Sequence, residues 1–457
     1  MLFARLAACL FAAVVGLAGQ ARAATPAQAI DAYVRGYADS GNFSGVVRVE
    51  RDGKVLFERA YGYADRERQI ANTPATRFHV ASMSMQFTAA AAMRLADRGD
   101  LALDAPASTV VEGLPWGDKV TVRHLLMQRS GLPDINARLD YAAILARPQT
   151  PRSLVQAVSG QPLLFTPGEK FLHEEHSAYN LLALIVETRT GKPFADAVDD
   201  LVFRPLGLSE AAIDDDRPLK GPVAKGYQPL GVVDLEPAGA IHWSAKTGNA
   251  SVTISARDET RWVRALVSGG FLTLASRDAV LNPAERVGYG WFKSQSKRFG
   301  QPAYSMNGRA PGFASYVLHL PQARLTVVAL SNVYSSATTP MGDDIAALAL
   351  GKPIEGFHPL ADKVEITGAP QGFRFGDDFY QPNAVLQLVA DRGGWALSWP
   401  DRSLTALIPV GPDRFVDRAY WQDVTLQRDA EGRLSGLRYD RFDGAPEGVR
   451  PEAAARH

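Results

Sequence analysis

The sequence predicts an α+β protein: an antiparallel sheet built from both ends of one large unit, a helical insertion between those ends, and a small all-β unit beyond. Three observations carry this. Strand signals cluster at residues 43–58 and again at 314–330, and the stretch between them reads mainly as helix. Past residue 356, short apolar runs alternate with turn clusters, the pattern of a barrel or sandwich. With 457 residues, the chain exceeds one ordinary domain and can bury a large core. The expected division is 1–23 as a targeting segment, 24–355 as the large unit and 356–457 as the β unit.

Hydrophobic residues make up 46% of the chain, charged residues 21%, and the formal net charge is zero. That composition excludes a disordered chain, a coiled coil and a polybasic nucleic-acid binder. The expected partner is a small-molecule or peptide-like ligand, with no nucleic acid. At the N-terminus Arg5 precedes the apolar run Leu6 to Leu17, and small residues stand at Ala21 and Ala23. This reads as a signal peptide cleaved before Ala24, hence a periplasmic or secreted protein. The run is too short to span a bilayer, and no later stretch is long and apolar enough to do so. Cys9, the single cysteine, falls in that segment. The mature chain then has no disulfide, no thiolate nucleophile and no cysteine-held zinc, and no cofactor is expected.

Taken in order, Ala29 to Tyr37 has a helical pattern. Phe43 to Glu58 reads as two strands around Asp52-Gly53, a strong hairpin signal. The approach Arg77-Phe78-His79-Val80-Ala81 leads to Ser82 and then to a helix of good formers that stops at Gly99. A serine at a helix start suits either a cap or a nucleophile whose reaction creates an oxyanion. Thr121 caps a helix through Met127, which gives way to the turn Ser130-Gly131-Leu132-Pro133-Asp134. Tyr179 to Thr190 is a mostly apolar, buried helix closed by Gly191. Ser255 caps a helix through Trp262 and Leu266. Ala314 to Leu320 and Leu325 to Leu330 pair as strands across a turn. In the C-terminal unit, strands are expected at 384–390, 395–399, 404–410, 414–416, 424–428 and 434–439.

Several short stretches, in this order and spacing, carry a family resemblance. They include Phe78-His79-Val80-Ala81-Ser82, Gly99-Asp100-Leu101-Ala102-Leu103-Asp104, Ser130-Gly131-Leu132-Pro133-Asp134, Pro167-Gly168-Glu169-Lys170-Phe171, Arg204-Pro205-Leu206-Gly207-Leu208 and Pro311-Gly312-Phe313. From about Ala29 to Gly351 the chain resembles the serine β-lactamase and penicillin-binding-protein superfamily, in its class C-like branch of esterases and D-aminopeptidases. The resemblance implies a β-lactamase/transpeptidase-like fold and three chemical clusters. These are Ser-x-x-Lys, with lysine as base; Tyr-x-Asn, with a proton-relaying phenol; and His or Lys, any residue, Gly, with a cation on a strand.

The sequence departs from all three. Ser82 is kept, but Met85 stands at the lysine position, and a thioether cannot take a proton at neutral pH. The second cluster falls within His173-Glu174-Glu175-His176. Counting from Pro167-Gly168 places His173 and Glu175 at the Tyr and Asn positions; counting back from Tyr179 places Glu174 and His176 there. The third reads Met306-Asn307-Gly308, with Arg309 as the nearest charge. The expected site is therefore Ser82 with His173, Glu174, Glu175 and His176 as catalytic candidates, and Arg309, Asn307, Gly308 and Met85 around the substrate.

Three functional readings stay open. In one, a histidine steered by a carboxylate serves Ser82, and the protein is an esterase, amidase or acyltransferase that does not use the Ser/Lys/Tyr route. In another, the fold survives as an inactive binding protein. In the last, His173 and His176 hold a metal with a further ligand. Of the other histidines, His79 is expected in the core, His124 at a helix cap, His242 in a loop bordering the pocket and His319 facing outward from its strand. Asp134 and Arg257-Asp258 are expected to be scaffold.

Overall fold

The computed structural model describes residues 24–172, 175–282, 285–354, 356–360, 364–366 and 371–447. Residues 1–23, with the expected signal peptide, lie outside them. Helix α1 (Pro26–Asp39) starts on a reciprocal cap in which Thr25 Oγ1 accepts from the Gln28 amide and the Gln28 side chain accepts from the Thr25 amide. Strands β1 (Gly45–Arg51) and β2 (Lys54–Tyr61) form the expected hairpin. Its two turn residues, Asp52 and Gly53, have φ of 54° and 72°, the left-handed pair that a tight two-residue hairpin requires.

The other strands of this sheet come from far along the chain: β3 (Val287–Gly288), β4 (Trp291–Ser296), β5 (Gln301–Ala310), β6 (Phe313–Leu320) and β7 (Leu325–Ser331). The sheet order is β3-β4-β5-β6-β7-β1-β2, antiparallel throughout. Strand β1 pairs with β7, Gly45 opposite Ser331 and Arg51 opposite Leu325, so both ends of the unit meet within this sheet.

Both faces of the sheet are covered, which explains why β6 and β7 read as apolar runs rather than alternations. Val47, Val49, Val327 and Ala329 pack with α1 and with Met341 and Ile345 of the later helix Thr338–Ala349. Val46, Val317, Val328 and Leu330 face the helical insertion. That insertion holds α2 (Met85–Asp97), α3 (Val122–Leu126), α4 (His176–Thr190) and α5 (Ala256–Ser268), and α6 is the Thr338–Ala349 helix. Helix α4 is buried over its first eleven residues and ends at Gly191 with φ of 65°. Covered faces also correct one expectation. His319 is 6% exposed rather than outward-facing, with Nδ1 3.0 Å from Thr326 Oγ1.

The C-terminal unit is a closed eight-stranded barrel: β8 (Gln371–Arg374), β9 (Val385–Asp391), β10 (Gly394–Ser398), β11 (Leu404–Gly411), β12 (Arg414–Asp417), β13 (Asp423–Arg428), β14 (Leu434–Tyr439) and β15 (Phe442–Pro446). Six strands match the expected runs. The sequence does not announce β8 and β15, which are short and carry Gly or Pro, yet their pairing closes the barrel and removes its open edges.

The turn between β12 and β13 joins the barrel to the larger unit. Arg418 is fully buried and donates to Asn42 Oδ1 at 2.9 Å and to the carbonyls of Gly41, Gly231 and Asp234 at 3.0, 2.6 and 2.8 Å. Burial pulls its guanidinium down to about 10, so it stays charged at neutral pH. Asp417 fixes the turn from within, accepting from Thr405 Oγ1 at 2.7 Å and from the Ala419 and Tyr420 amides at 2.9 Å. Trp421 packs its ring 4.8 Å from Phe357 and 5.6 Å from Tyr37.

Candidate active site

The approach to Ser82 is pinned before the serine is reached. Phe78-His79 pairs with the short strand Val252–Ile254, and the Val80 amide donates to Val252 O at 3.0 Å. His79 is a core residue, as expected, with Nε2 2.8 Å from Asp214 Oδ2 and its ring stacked 3.6 Å from Trp243. Burial lowers its pKa, against the pull of Asp214, and favours the neutral ring. Ala81 then takes φ of 49°, a left-handed conformation unusual for a residue with a side chain. The chain turns sharply there into a single 3₁₀ turn, Ala81–Ser84, continuous with α2.

Ser82 is half-buried and makes no side-chain cap bond in this turn, so the capping role is not its own. Ser84 is the structural serine: its Oγ accepts from the Val252 amide at 2.9 Å. Strand β5 runs beside the Ser82 backbone. A Cβ on Gly308 would lie 2.3 Å from Val80 O and 2.8 Å from the Ser82 nitrogen, so only glycine permits this approach. Ser315, paired with Gly308 on the neighbouring strand, donates from Oγ to Val80 O at 2.7 Å and holds the same segment.

Ser82 opens onto a cavity of about 350 Å³. Met85, Asn307, Gly308 and Arg309, the residues expected around the substrate, line it together with Met306. Met85 and Met306 are 2% and 3% exposed, so two neutral thioethers stand where the family resemblance implies cations. His176, the first residue of α4, lines the same cavity. Its Nδ1 lies 3.1 and 3.2 Å from the two Asp134 carboxylate oxygens, and Asn136 Nδ2 is 3.1 Å away. A carboxylate only accepts, and the Asn136 amide turned over would present its otherwise unpartnered Oδ1 to the same atom; with that orientation both contacts favour the tautomer with the proton on Nδ1, which leaves Nε2 as a base. Asp134 also accepts from the Asn136 amide at 3.1 Å, so it is scaffold and histidine-orienting group together.

Glu175 has a different place. It is buried, accepts from Ser130 Oγ at 2.8 Å, from the Ser130 amide at 3.2 Å and from the Leu132 amide at 3.2 Å, and is not among the cavity-lining residues. Burial raises its carboxyl to about 7, against the lowering effect of these donors. It ties the 130–132 turn to the start of α4. His173 and Glu174 lie outside the described residues. His124 caps α3, as expected, with Nδ1 accepting from the Thr121 amide at 3.3 Å. His242 sits against Asp216 at 3.2 Å and is not among the cavity-lining residues. Among the described residues, no set of three His, Cys, Asp or Glu side chains is grouped to hold a metal ion.

Sequence reasoning missed several lining groups. Tyr141 and Lys246 meet at 2.5 Å between hydroxyl and amine, and both face the cavity. Their elements, the helix Tyr141–Leu145 and the turn Trp243–Lys246, are more than a hundred positions apart, and no local motif links them. Gln128, Asn136, Tyr334 and Ser336 were also missed. The one available signal was Lys246, close after the His242-Trp243 pair in a loop already expected near the pocket.

A serine at a kinked helix start, set beside Gly308 of an inner strand of an antiparallel sheet and sharing a cavity with an aspartate-bound histidine, sits on a penicillin-binding-protein-like fold. The chain belongs to the Beta-lactamase family, whose model matches residues 30–352. It is 25% identical over 437 residues to penicillin-binding protein 4* of Bacillus subtilis (strain 168), covering 89% of this chain and 94% of that protein. It is 28% identical over 322 residues to a D-aminopeptidase of Gluconobacter oxydans (strain 621H), covering 68% of this chain and 59% of that enzyme. In structure it resembles the octameric penicillin-binding protein homologue from Pyrococcus abyssi, with a TM-score of 0.65 and 20% identity, over 91% of this chain and 99% of that one.

Proposed function

We propose that this protein is an esterase, amidase or acyltransferase in which Ser82 attacks the substrate carbonyl and His176, oriented by Asp134, handles the proton. The observation that carries this reading is His176 itself. It shares the cavity with Ser82 and turns Nδ1 toward a carboxylate, the arrangement that prepares Nε2 to accept a proton. In the acylation step the Ser82 Oγ–carbon bond forms as the Oγ proton passes to His176 Nε2. Collapse breaks the bond to the leaving alcohol or amine, which takes that proton. Water or an acceptor alcohol then reverses the sequence and frees Ser82. Developing negative charge on the carbonyl oxygen would be met by the Ser82 amide and the positive end of α2. The likeness to a D-aminopeptidase supports small amides as one substrate class. Arg309 would anchor an anionic group of the substrate.

Within this reading His176 is the working member of the 173–176 run and Glu175 its structural brace; His173 and Glu174 are candidates for the rest of the proton path. Export through residues 1–23 belongs to the same proposal, as does the division into units at 24–355 and 356–457. The test is intact-mass analysis after exposure to a fluorophosphonate, followed by ester turnover. One adduct on Ser82, lost in Ser82→Ala and slowed at least about a hundredfold in His176→Gln, is expected. A folded protein that forms no adduct and hydrolyses no ester would mean that the site only binds. Met85 and Met306 in place of the expected cations favour that second reading. Stoichiometric metal in the purified protein would favour the third.

A further inference from the structure

Arg309 is built into the cavity by two parts of the molecule. Its guanidinium carbon lies 4.9 Å from the Tyr334 ring centre and 4.3 Å from that of Tyr420, so it is held by two aromatic rings, one from each unit. Nη1 donates to Ser336 Oγ at 2.8 Å and to Ala419 O at 3.4 Å. Tyr420 and Ala419 belong to the barrel turn that Asp417 and Arg418 lock in place. Among the described residues Arg309 has no carboxylate partner, and its hydrogen bonds leave from Nη1 alone. Nε–H and Nη2–H are left to offer an incoming acceptor.

The electrostatic setting agrees. In a chain of zero net charge, the described lining of this cavity includes Arg309 and Lys246 and no aspartate or glutamate. A half-enclosed site with cations and no lining carboxylate concentrates anions. Aromatic rings against the guanidinium also remove rotamer freedom before the ligand arrives, so less is lost on binding.

We propose that the barrel turn is part of the substrate site: Tyr420 and Ala419 O position Arg309 to grip a carboxylate of the substrate, making the protein selective for carboxylate-bearing esters or amides. This rests on the hydrolase reading above and adds the substrate class and the role of the second unit. Tyr420 is a positioning residue; Arg309 is the group that touches substrate.

The experiment compares p-nitrophenyl butyrate, which is neutral, with mono-p-nitrophenyl glutarate, which carries a free carboxylate, on the full chain and on Ser82→Ala, Arg309→Met, Tyr420→Ala and Tyr420→Phe. The wild type is expected to prefer the glutarate ester, chiefly through a lower KM. The glutarate-to-butyrate ratio of kcat/KM should fall about tenfold or more in Arg309→Met and Tyr420→Ala, and stay within about threefold of wild type in Tyr420→Phe, which keeps the ring. No wild-type preference, or a ratio unmoved by Tyr420→Ala, overturns the proposal. If neither ester shows Ser82-dependent turnover, the hydrolase reading fails by itself. The anchor is then read by calorimetry with glutarate: wild-type binding that weakens about tenfold in Arg309→Met and in Tyr420→Ala supports it, and no wild-type binding refutes it.

Discussion

Ala81 and Gly308 set the position of Ser82, and each does so through the backbone. Ala81 holds a left-handed φ that costs an L-residue on the order of 1 kcal/mol, and the surrounding fold maintains it next to the serine. Gly308 lets β5 touch the Ser82 backbone. Gly308→Ala should therefore push the strand and the serine apart, lowering stability by about 1–3 kcal/mol and slowing fluorophosphonate labelling of Ser82 more than tenfold. Chemical denaturation and labelling kinetics on the same sample read both effects. Asp134→Asn should leave His176 in place but weaken the preference for the Nδ1 proton; a fall in kcat of about a hundredfold or more, with little change in KM, is the expected result in steady-state assays. Met85→Lys alone should not give β-lactam turnover, because Met306 still supplies no strand cation. Nitrocefin hydrolysis at background level would agree, and robust turnover would show that the lysine position alone was limiting.

At the scale of elements, α2 and α5 are joined by a buried polar chain: Trp262 Nε1 donates to Gln86 Oε1 at 2.7 Å, and Gln86 Nε2 donates to Glu259 Oε1 at 2.8 Å. Burial raises Glu259 to about 8, as it raises Glu175 to about 7. Both acids hold a proton more tightly folded than unfolded. Their contribution to stability is complete below about pH 4 and is lost as pH climbs through about 7 and about 8. The urea midpoint should accordingly fall between pH 5 and pH 8.5, and Glu259→Gln should flatten that slope by up to about 1.4 kcal/mol per pH unit. The main elements were legible because they obey local rules: the Asp52-Gly53 turn, the Thr121 and Ser255 caps, the Gly191 stop. Ser82 was legible through its motif. The cavity wall was not. Tyr141 and Lys246 come from separate loops, and Asp134 meets His176 only across the folded turn. His319 was expected to face outward because alternation within a strand carries no information about what covers each face.

At the scale of the whole molecule, the barrel and the larger unit share one buried cation. Arg418 donates to Asn42 Oδ1, which is buried, and to three part-buried carbonyls of the larger unit, so its removal unpairs four acceptors at once. Arg418→Met should lower stability by about 2–4 kcal/mol and split a single thermal transition into two, seen by calorimetry. The sheet at the centre has its own consequence for the order in which structure appears. Strand β1 lies between β2 and β7, and its partner on one side is synthesised about 270 residues after its partner on the other. A nascent chain can form the β1–β2 hairpin early, but the hairpin keeps an unsatisfied apolar edge until β7 emerges. Ser82 cannot gain its neighbour Gly308 until β5 has emerged, shortly before β7. The site comes into being late, when nearly the whole unit exists: a chain truncated before β5 would contain Ser82, Asp134 and His176 but lack Gly308 and the strands that hold the serine in place.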